Sequence, residues 1–155
     1  MTKVLQADFE KQFSQIKEIL EEYAISLGFD LHFQEFEKEL AELPGDYSPP
    51  DGRLLVAVEG DRVAGCVALR KLGEGTCEMK RLYVRSEFRG KRVGRELATA
   101  IIHEARRIGY QRMRLDTVPS MKNAIALYES LGFKEIEPYR YNPIKGAKFM
   151  ELDLT

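Results

Sequence analysis

The chain has 155 residues, with 24 Lys and Arg against 25 Asp and Glu and a formal net charge of −1. That balance excludes a uniformly basic nucleic-acid binder and a polyacidic tail, while 44% hydrophobic residues and only 6 prolines exclude a disordered chain. A chain of this length is expected to form one domain, residues 1–155, and to bury roughly 70% of its unfolded surface.

The charge is uneven along the chain. Residues 1–79 hold 8 basic and 16 acidic side chains, residues 80–114 hold 11 and 3, and residues 115–155 hold 5 and 6. The middle segment is where an anion is expected. The two cysteines, Cys66 and Cys77, have no C-x-x-C or Cys/His ligand spacing, so they read as buried thiols and no metal is expected. Met1 to Glu10 has no basic region followed by an apolar stretch, and no apolar run is long enough to span a membrane. The cytoplasm is the expected compartment.

In chain order, Phe9, Phe13, Ile16, Leu20, Tyr23 and Leu27 recur at helical steps, and Gly28 is placed to end that helix. A second helical pattern, Phe33, Phe36, Leu40 and Leu43, stops at Pro44-Gly45, and residues 48–52 form a loop rich in Pro and Gly. Leu54 to Glu59 and Arg62 to Lys71 read as a hairpin turned at Gly60-Asp61, and Thr76 to Val84 as a third strand. A helix follows with Leu97, Ile101, Ala105 and Ile108 on one stripe, ended by Gly109. Then come a strand from Arg112 to Thr117, a helix capped by Ser120 and closed by Gly132, an extended piece from Phe133 to Ile136 and a last strand from Lys148 to Leu154. This order predicts one mixed sheet with helices packed on its faces.

The stretch with the most chemistry runs from Met79 to Arg95. A strand leads into a basic, glycine-containing turn that opens a helix, and helix N-termini offer unpaired N–H groups and a partial positive charge to phosphate. Arg89, Lys91, Arg92 and Arg95 add full charges within seven residues, which repel one another unless an anion or an acidic surface offsets them. The glycine spacing is neither G-x-G-x-x-G nor G-x-x-x-x-G-K-[ST], which argues against dinucleotide and P-loop sites.

Arg89-Gly90-Lys91-Arg92-Val93-Gly94 resembles the pyrophosphate loop of the GNAT superfamily of acyl-CoA-dependent N-acetyltransferases, Gln/Arg-x-x-Gly-x-Gly/Ala at the end of the fourth strand. Arg89 matches the first position and Gly94 the last, while Arg92 stands where the family has its first glycine; in helical φ/ψ a residue there could point its guanidinium outward at little cost. Asn123 to Phe133, with Tyr128 and Gly132, is similar to the family's second signature. The resemblance implies an α/β (α+β) fold: a mixed, mostly antiparallel sheet flanked by about four helices and splayed between the fourth and fifth strands. It also implies acetyl-CoA as cosubstrate, with backbone groups of Leu82, Tyr83 and Val84 pairing with the pantetheine arm like an added strand. The pyrophosphate would sit on Arg89, Gly90, Lys91, Arg92, Val93, Gly94 and Arg95, and Asn123 would bond the cofactor arm unless it caps its helix.

By the same resemblance Tyr128 is the acid that protonates the leaving thiolate, against a reading in which it only borders the apolar stripe of its helix. Glu78 stands where some members carry a catalytic glutamate acting directly or through water; the other reading is an ion pair with a neighbouring Lys or Arg, with ordered water alone as the base, as in many members. Strand alternation puts Glu78 on one face with Lys80, Leu82 and Val84, unless a bulge resets the parity. His103 reads as a surface residue and His32 lies near a potential acceptor site. The expected reaction is acetyl transfer to a primary amine of a small molecule by direct attack in a ternary complex. The acidic first half mildly favours a cationic acceptor, and Tyr47, Tyr139 and Tyr141 are candidates to line a small-molecule pocket or to pack. The rivals are acetylation of a protein or peptide, a CoA-sensing module and, least favoured, nucleic-acid binding along Arg85, Arg89, Arg92, Arg95 and Arg106. No membrane partner is expected, and a homodimer is one assembly open to such a chain.

Overall fold

The computed structural model describes residues 2–28, 35–119 and 121–155. His32, Phe33 and Ser120, named above, lie outside the described residues. Seven strands form one sheet in the order β1-β2-β3-β4-β5-β7-β6. They are β1 (Lys3–Gln6), β2 (Arg53–Glu59), β3 (Arg62–Gly73), β4 (Thr76–Val84), β5 (Arg112–Thr117), β6 (Lys134–Ile136) and β7 (Lys148–Asp153). The helices are α1 (Phe9–Ser26), α2 (Phe36–Ala41), α3 (Val93–Ile108) and α4 (Lys122–Ser130). No helix among the described residues is long and apolar enough to cross a membrane.

β1 was not expected. Four residues, Lys-Val-Leu-Gln, are too few to show a period, and they are held by antiparallel pairing with β2, Lys3 opposite Val58 and Gln6 opposite Leu55. The Asp8 carboxylate then accepts from the N–H groups of Glu10 and Lys11, at 3.0 and 3.2 Å, and starts α1. α1 buries Ile16, Ile19 and Leu20 against one face of the sheet, beside Leu54, Val56, Cys66 and Ala68. α3 buries Leu97, Ile101 and Ala105 on the other face, where Leu55, Val67, Leu69, Cys77 and Met79 meet it. Both cysteines are free and buried, and burial pushes each thiol up to about 12, so neither offers a thiolate near neutral pH.

Two irregularities of β4 open the sheet. Its parallel ladder with β5 covers only Thr76, Cys77 and Glu78, opposite Arg112, Met113 and Arg114. Its antiparallel ladder with β3 slips near the hairpin, between Lys71 and Gly73, and again toward the end of β4: Cys66 faces Tyr83 but Ala68 faces Lys80, so Arg81 and Leu82 together oppose Val67. Arg81 takes the left-handed conformation, φ 62°, at this bulge. The extra residue also reverses the facing of the strand. Cys77 and Met79 pack toward α3, but beyond the bulge it is Leu82 and Val84 that do so, while Tyr83 turns toward α1. Strict alternation therefore misplaces Leu82 and Val84 relative to Glu78. They lie on opposite faces.

Gly65 lies against the end of β4. A Cβ built there would stand 2.6 Å from the Tyr83 carbonyl oxygen and 3.0 Å from Leu97 Cδ1. Gly65→Ala is therefore expected to cost about 1–3 kcal/mol in denaturant unfolding, because the backbone that must shift is the end of β4.

Candidate active site

Where β4 and β5 part, a groove of about 900 Å³ opens on the surface. Leu82, Tyr83 and Val84 form one wall, continued by Arg89, Gly90, Arg92, Val93 and Gly94 at the start of α3; Met121, Asn123, Ala124 and Leu127 form the facing wall. Nine of the eleven residues expected to hold the cofactor thus line one groove. Two do not: Lys91 lies with its Nζ 5.8 Å from the Phe88 ring centre, and Arg95 donates to Ser130 Oγ at 2.7 Å. Asn123 is not a helix cap, since Met121 holds the N-cap position of α4. Lys122, next to it, also lines the groove and was missed, because a lone lysine at a helix start carries no motif.

The groove suits a long phosphorylated ligand. Among the described residues, no side chain caps the first N–H groups of α3, leaving them available to an anion. Arg89 is anchored by its Nε to the Val84 carbonyl at 3.0 Å and lies over the Tyr83 ring at 5.8 Å. The other arginines of the basic middle segment are spent within the fold. Arg81 pairs with Glu39 of α2, Arg85 with Glu18 and Glu22 of α1, Arg107 with Glu104 and Arg114 with Glu151. Arg106 donates to the Leu154 carbonyl. Of the eleven cations of residues 80–114, Arg81 and Arg85 are thus held by carboxylates of residues 1–79, and Arg107 and Arg114 by carboxylates elsewhere. Arg89, Lys91, Arg92 and Arg95 have no carboxylate within 4.0 Å among the described residues, and the arginine stripe expected of a nucleic-acid binder is broken at Arg85 and Arg106.

Arg92 corrects one expectation. Its backbone is left-handed, φ 66° and ψ 15°, and not helical. The family's glycine at this position has a physical reason: an L side chain there costs about 1–2 kcal/mol. Arg92→Gly is expected to leave the midpoint of chemical unfolding unchanged or slightly raised while weakening acetyl-CoA several-fold in a titration. Arg92→Ala keeps the strain and loses the charge, so it should be inferior on both counts.

At its inner end the groove meets a pocket of about 30 Å³, with which it shares Tyr23, Leu82 and Met121. Tyr128 of α4, Lys80 and Arg81 of β4, and Asp116 and Thr117 of β5 also line this pocket. Tyr128 is buried with its ring edge-on to Phe133, centres 5.7 Å apart, and burial raises its phenol above the ordinary range, so it stays protonated. That is the state required of a proton donor.

Glu78 is fully buried but does not line this pocket. Its carboxylate accepts from Arg70 Nε at 2.8 Å, from Arg140 Nη2 at 2.8 Å and from the Tyr139 hydroxyl at 2.6 Å. Burial alone would raise its pKa, but Lys80, Arg140 and Arg70 outweigh burial and hold the carboxyl below its ordinary range. The geometry is that of the ion-pair reading. Of the tyrosines expected around an acceptor, Tyr139 is bound to Glu78, Tyr47 is buried beside Arg70, and Tyr141 is exposed. His103 is exposed on α3. Among the described residues no group of three His, Cys, Asp or Glu is placed to hold a metal ion.

Residues 13–133 match the Acetyltransferase (GNAT) family. An uncharacterised N-acetyltransferase of Schizosaccharomyces pombe is 42% identical over 147 residues, covering 94% of this chain and 90% of that protein. Among solved structures, the PaiA N-acetyltransferase of Thermoplasma acidophilum, in complex with coenzyme A, superposes with a TM-score of 0.76 at 18% identity, covering 99% of both chains. A Salmonella typhimurium protein solved with acetyl-CoA gives 0.71 at 22%, covering 99% of this chain and 94% of that one. At these identities the two structures speak to the fold alone. The family match and the yeast relative go further: the chain belongs to the GNAT acetyltransferase family and is an N-acetyltransferase.

Proposed function

We propose that the protein transfers the acetyl group of acetyl-CoA to a primary amine of a small molecule, by direct attack of the amine in a ternary complex. The observation that carries this reading is the continuity of one groove from the loop cations at the start of α3 to the pocket of Tyr128. Acetyl-CoA fits that run. N–H groups of residues 89–95 and the guanidinium groups of Arg89 and Arg92 hold the pyrophosphate, and Lys91 and Arg95 strengthen the field around it. Leu82, Tyr83 and Val84 offer the pantetheine arm a strand edge that β5 has left, and Asn123 faces it from α4. The acetyl group supplies the electrophilic carbonyl. Tyr128 protonates the departing sulfur, and Glu78 fixes Arg70, Arg140 and Tyr139 beside the reacting centre.

The acceptor side supports a small cation. A further cavity, of about 210 Å³, is bordered by four carboxylates, Glu35, Glu39, Glu42 and Asp46, against two cations, Lys38 and Arg70. Glu39 lines it and Arg81 lines the Tyr128 pocket, so their ion pair forms the partition between the two. That volume suits a metabolite better than a polypeptide segment. The free, buried Cys66 and Cys77 support a reducing compartment such as the cytoplasm.

The test is release of free thiol from acetyl-CoA across a panel of amines, amino acids, polyamines and peptides. Release stimulated by small amines and not by peptides supports the proposal; stimulation by peptides or proteins alone replaces its acceptor; acetyl-CoA binding with no release from any acceptor points to a CoA-sensing module.

A further inference from the structure

We propose that Lys80 is the proton acceptor for the attacking amine. The proposal rests on the reading of this site as an acetyl-transfer centre and supplies the base that Glu78 is badly placed to be. Lys80 is the last residue of β4 paired regularly with β3 before the bulge, opposite Ala68, and only 8% of it is exposed. It lines the same small pocket as Tyr128, so donor and acceptor of the two protons in the reaction share one chamber. Thr117 lines that chamber too; its Oγ1 is buried without a hydrogen-bond partner among the described residues, leaving polar capacity there for a ligand. Glu78, two residues earlier, has its carboxylate occupied by two guanidinium groups and a phenol.

The surroundings bias Lys80 toward its neutral form. Burial comes first, and Arg81 from its own strand, Arg70 from β3 and Arg140 from the segment between β6 and β7 add to it. Glu78 opposes them. Glu39 of α2 and Asp116 of β5 are the other carboxylates on this side, each beside a competing cation or amide: Glu39 is paired with Arg81, and Asp116 accepts from Asn142 Nδ2 at 3.0 Å. The phenols are Tyr23 of α1, Tyr139 and Tyr128, each raised above its ordinary range and uncharged. The result is an amine lowered to about 7, where a lysine is ordinarily near 10.5.

The step balances as follows. The amine nitrogen's lone pair forms the new C–N bond to the acetyl carbon, and the carbonyl π pair moves to oxygen. The nitrogen, now cationic, gives one proton to the lone pair of Lys80 Nζ. As the oxygen pair returns, the C–S bond breaks, sulfur keeps the bonding pair, and Tyr128 protonates it. Solvent then takes the proton from Lys80 and restores that of Tyr128. The net change is one proton moved from amine to thiol, with no oxidant or reductant.

The experiment compares wild type, Lys80→Met and Lys80→Arg in amine-dependent thiol release across pH. In the wild type kcat should rise with pH through a limb near 7, as Lys80 loses its proton. Both variants should lose roughly a hundredfold or more in kcat, with the limb gone and KM for acetyl-CoA little changed. Lys80→Met should also melt several degrees higher at pH 7, since it removes a buried group whose charged form the fold disfavours. The arginine variant keeps charge and length, so its loss would isolate the proton-accepting role; it also serves if the methionine variant misfolds. Acylation of Lys80 by acetic anhydride, followed by mass spectrometry against pH, reads the neutral form without turnover; a midpoint near that of an ordinary lysine overturns the proposal. Wild-type release with both variants unimpaired overturns Lys80 alone. Absence of release from wild type with every amine overturns the transfer reading and Lys80 with it.

Discussion

Tyr128→Phe is expected to lower kcat for amine-dependent thiol release by roughly a hundred- to ten-thousandfold, the range typical of losing one positioned general acid, while acetyl-CoA binding changes little. The substitution keeps the ring, its edge-on contact with Phe133 and its place in the apolar packing of α4, so the fold should be unaffected. What it removes is a phenol that burial keeps protonated across the physiological range. A thiolate leaving without a positioned donor must take its proton from water. Because the phenol is raised and not lowered, the wild-type rate should show no alkaline loss from Tyr128 below about pH 10. A variant equal to wild type in kcat would return Tyr128 to the purely apolar role.

The largest expected effect on stability is at Glu78. Glu78→Ala leaves the guanidinium groups of Arg70 and Arg140 and the hydroxyl of Tyr139 without their shared acceptor, inside the protein, and breaking a buried ion pair by removing one partner costs about 3–5 kcal/mol. It also unties residues 139 and 140 from β4, so acceptor binding should suffer before acetyl-CoA binding does. The pH dependence follows from the direction of the shift. Glu78 is held below its unfolded value of 4.5, so its contribution is fully present above that pH and is lost as pH falls through the lower folded value. Glu78→Gln should flatten this part of the acid limb of stability. Denaturant melts of the three proteins between pH 3 and 7 measure both effects. Equal kcat in Glu78→Gln and wild type, at a temperature where both are folded, supports an anchoring role; a loss of kcat without loss of stability supports a base.

The groove was legible because its parts are local in sequence. The loop from Arg89 to Gly94 and the helix of Asn123 and Tyr128 each lie within a dozen residues, and the resemblance of both to one family's signatures placed them together. The charge pairing was not legible, because Arg85 meets Glu22 and Arg81 meets Glu39 across more than forty residues. A segment tally therefore misses that two cations of the middle segment, Arg81 and Arg85, are held by carboxylates of the first half. A bulge that resets the parity of β4 was open from the sequence, but its position was not: Arg81 looks like any residue of an alternating strand, and its slipped pairing with β3 turns Leu82 and Val84 to the face opposite Glu78. Lys80 shared that obscurity, since a polar residue in a strand reads as facing water until α1 and α2 are laid over it. At Arg92 the motif departed from the family's glycine, and the left-handed backbone of this arginine is a cost no residue count reveals.

The measurement that bears most directly on the central claim is a crystal structure of the protein with acetyl-CoA. The pyrophosphate should lie on the N–H groups of residues 89–95, the pantetheine along Leu82 to Val84, and the thioester sulfur within about 3.5 Å of the Tyr128 hydroxyl. Acetyl-CoA bound outside the groove between β4 and β5, or with its thioester remote from the pocket shared by Tyr128 and Lys80, would contradict the account.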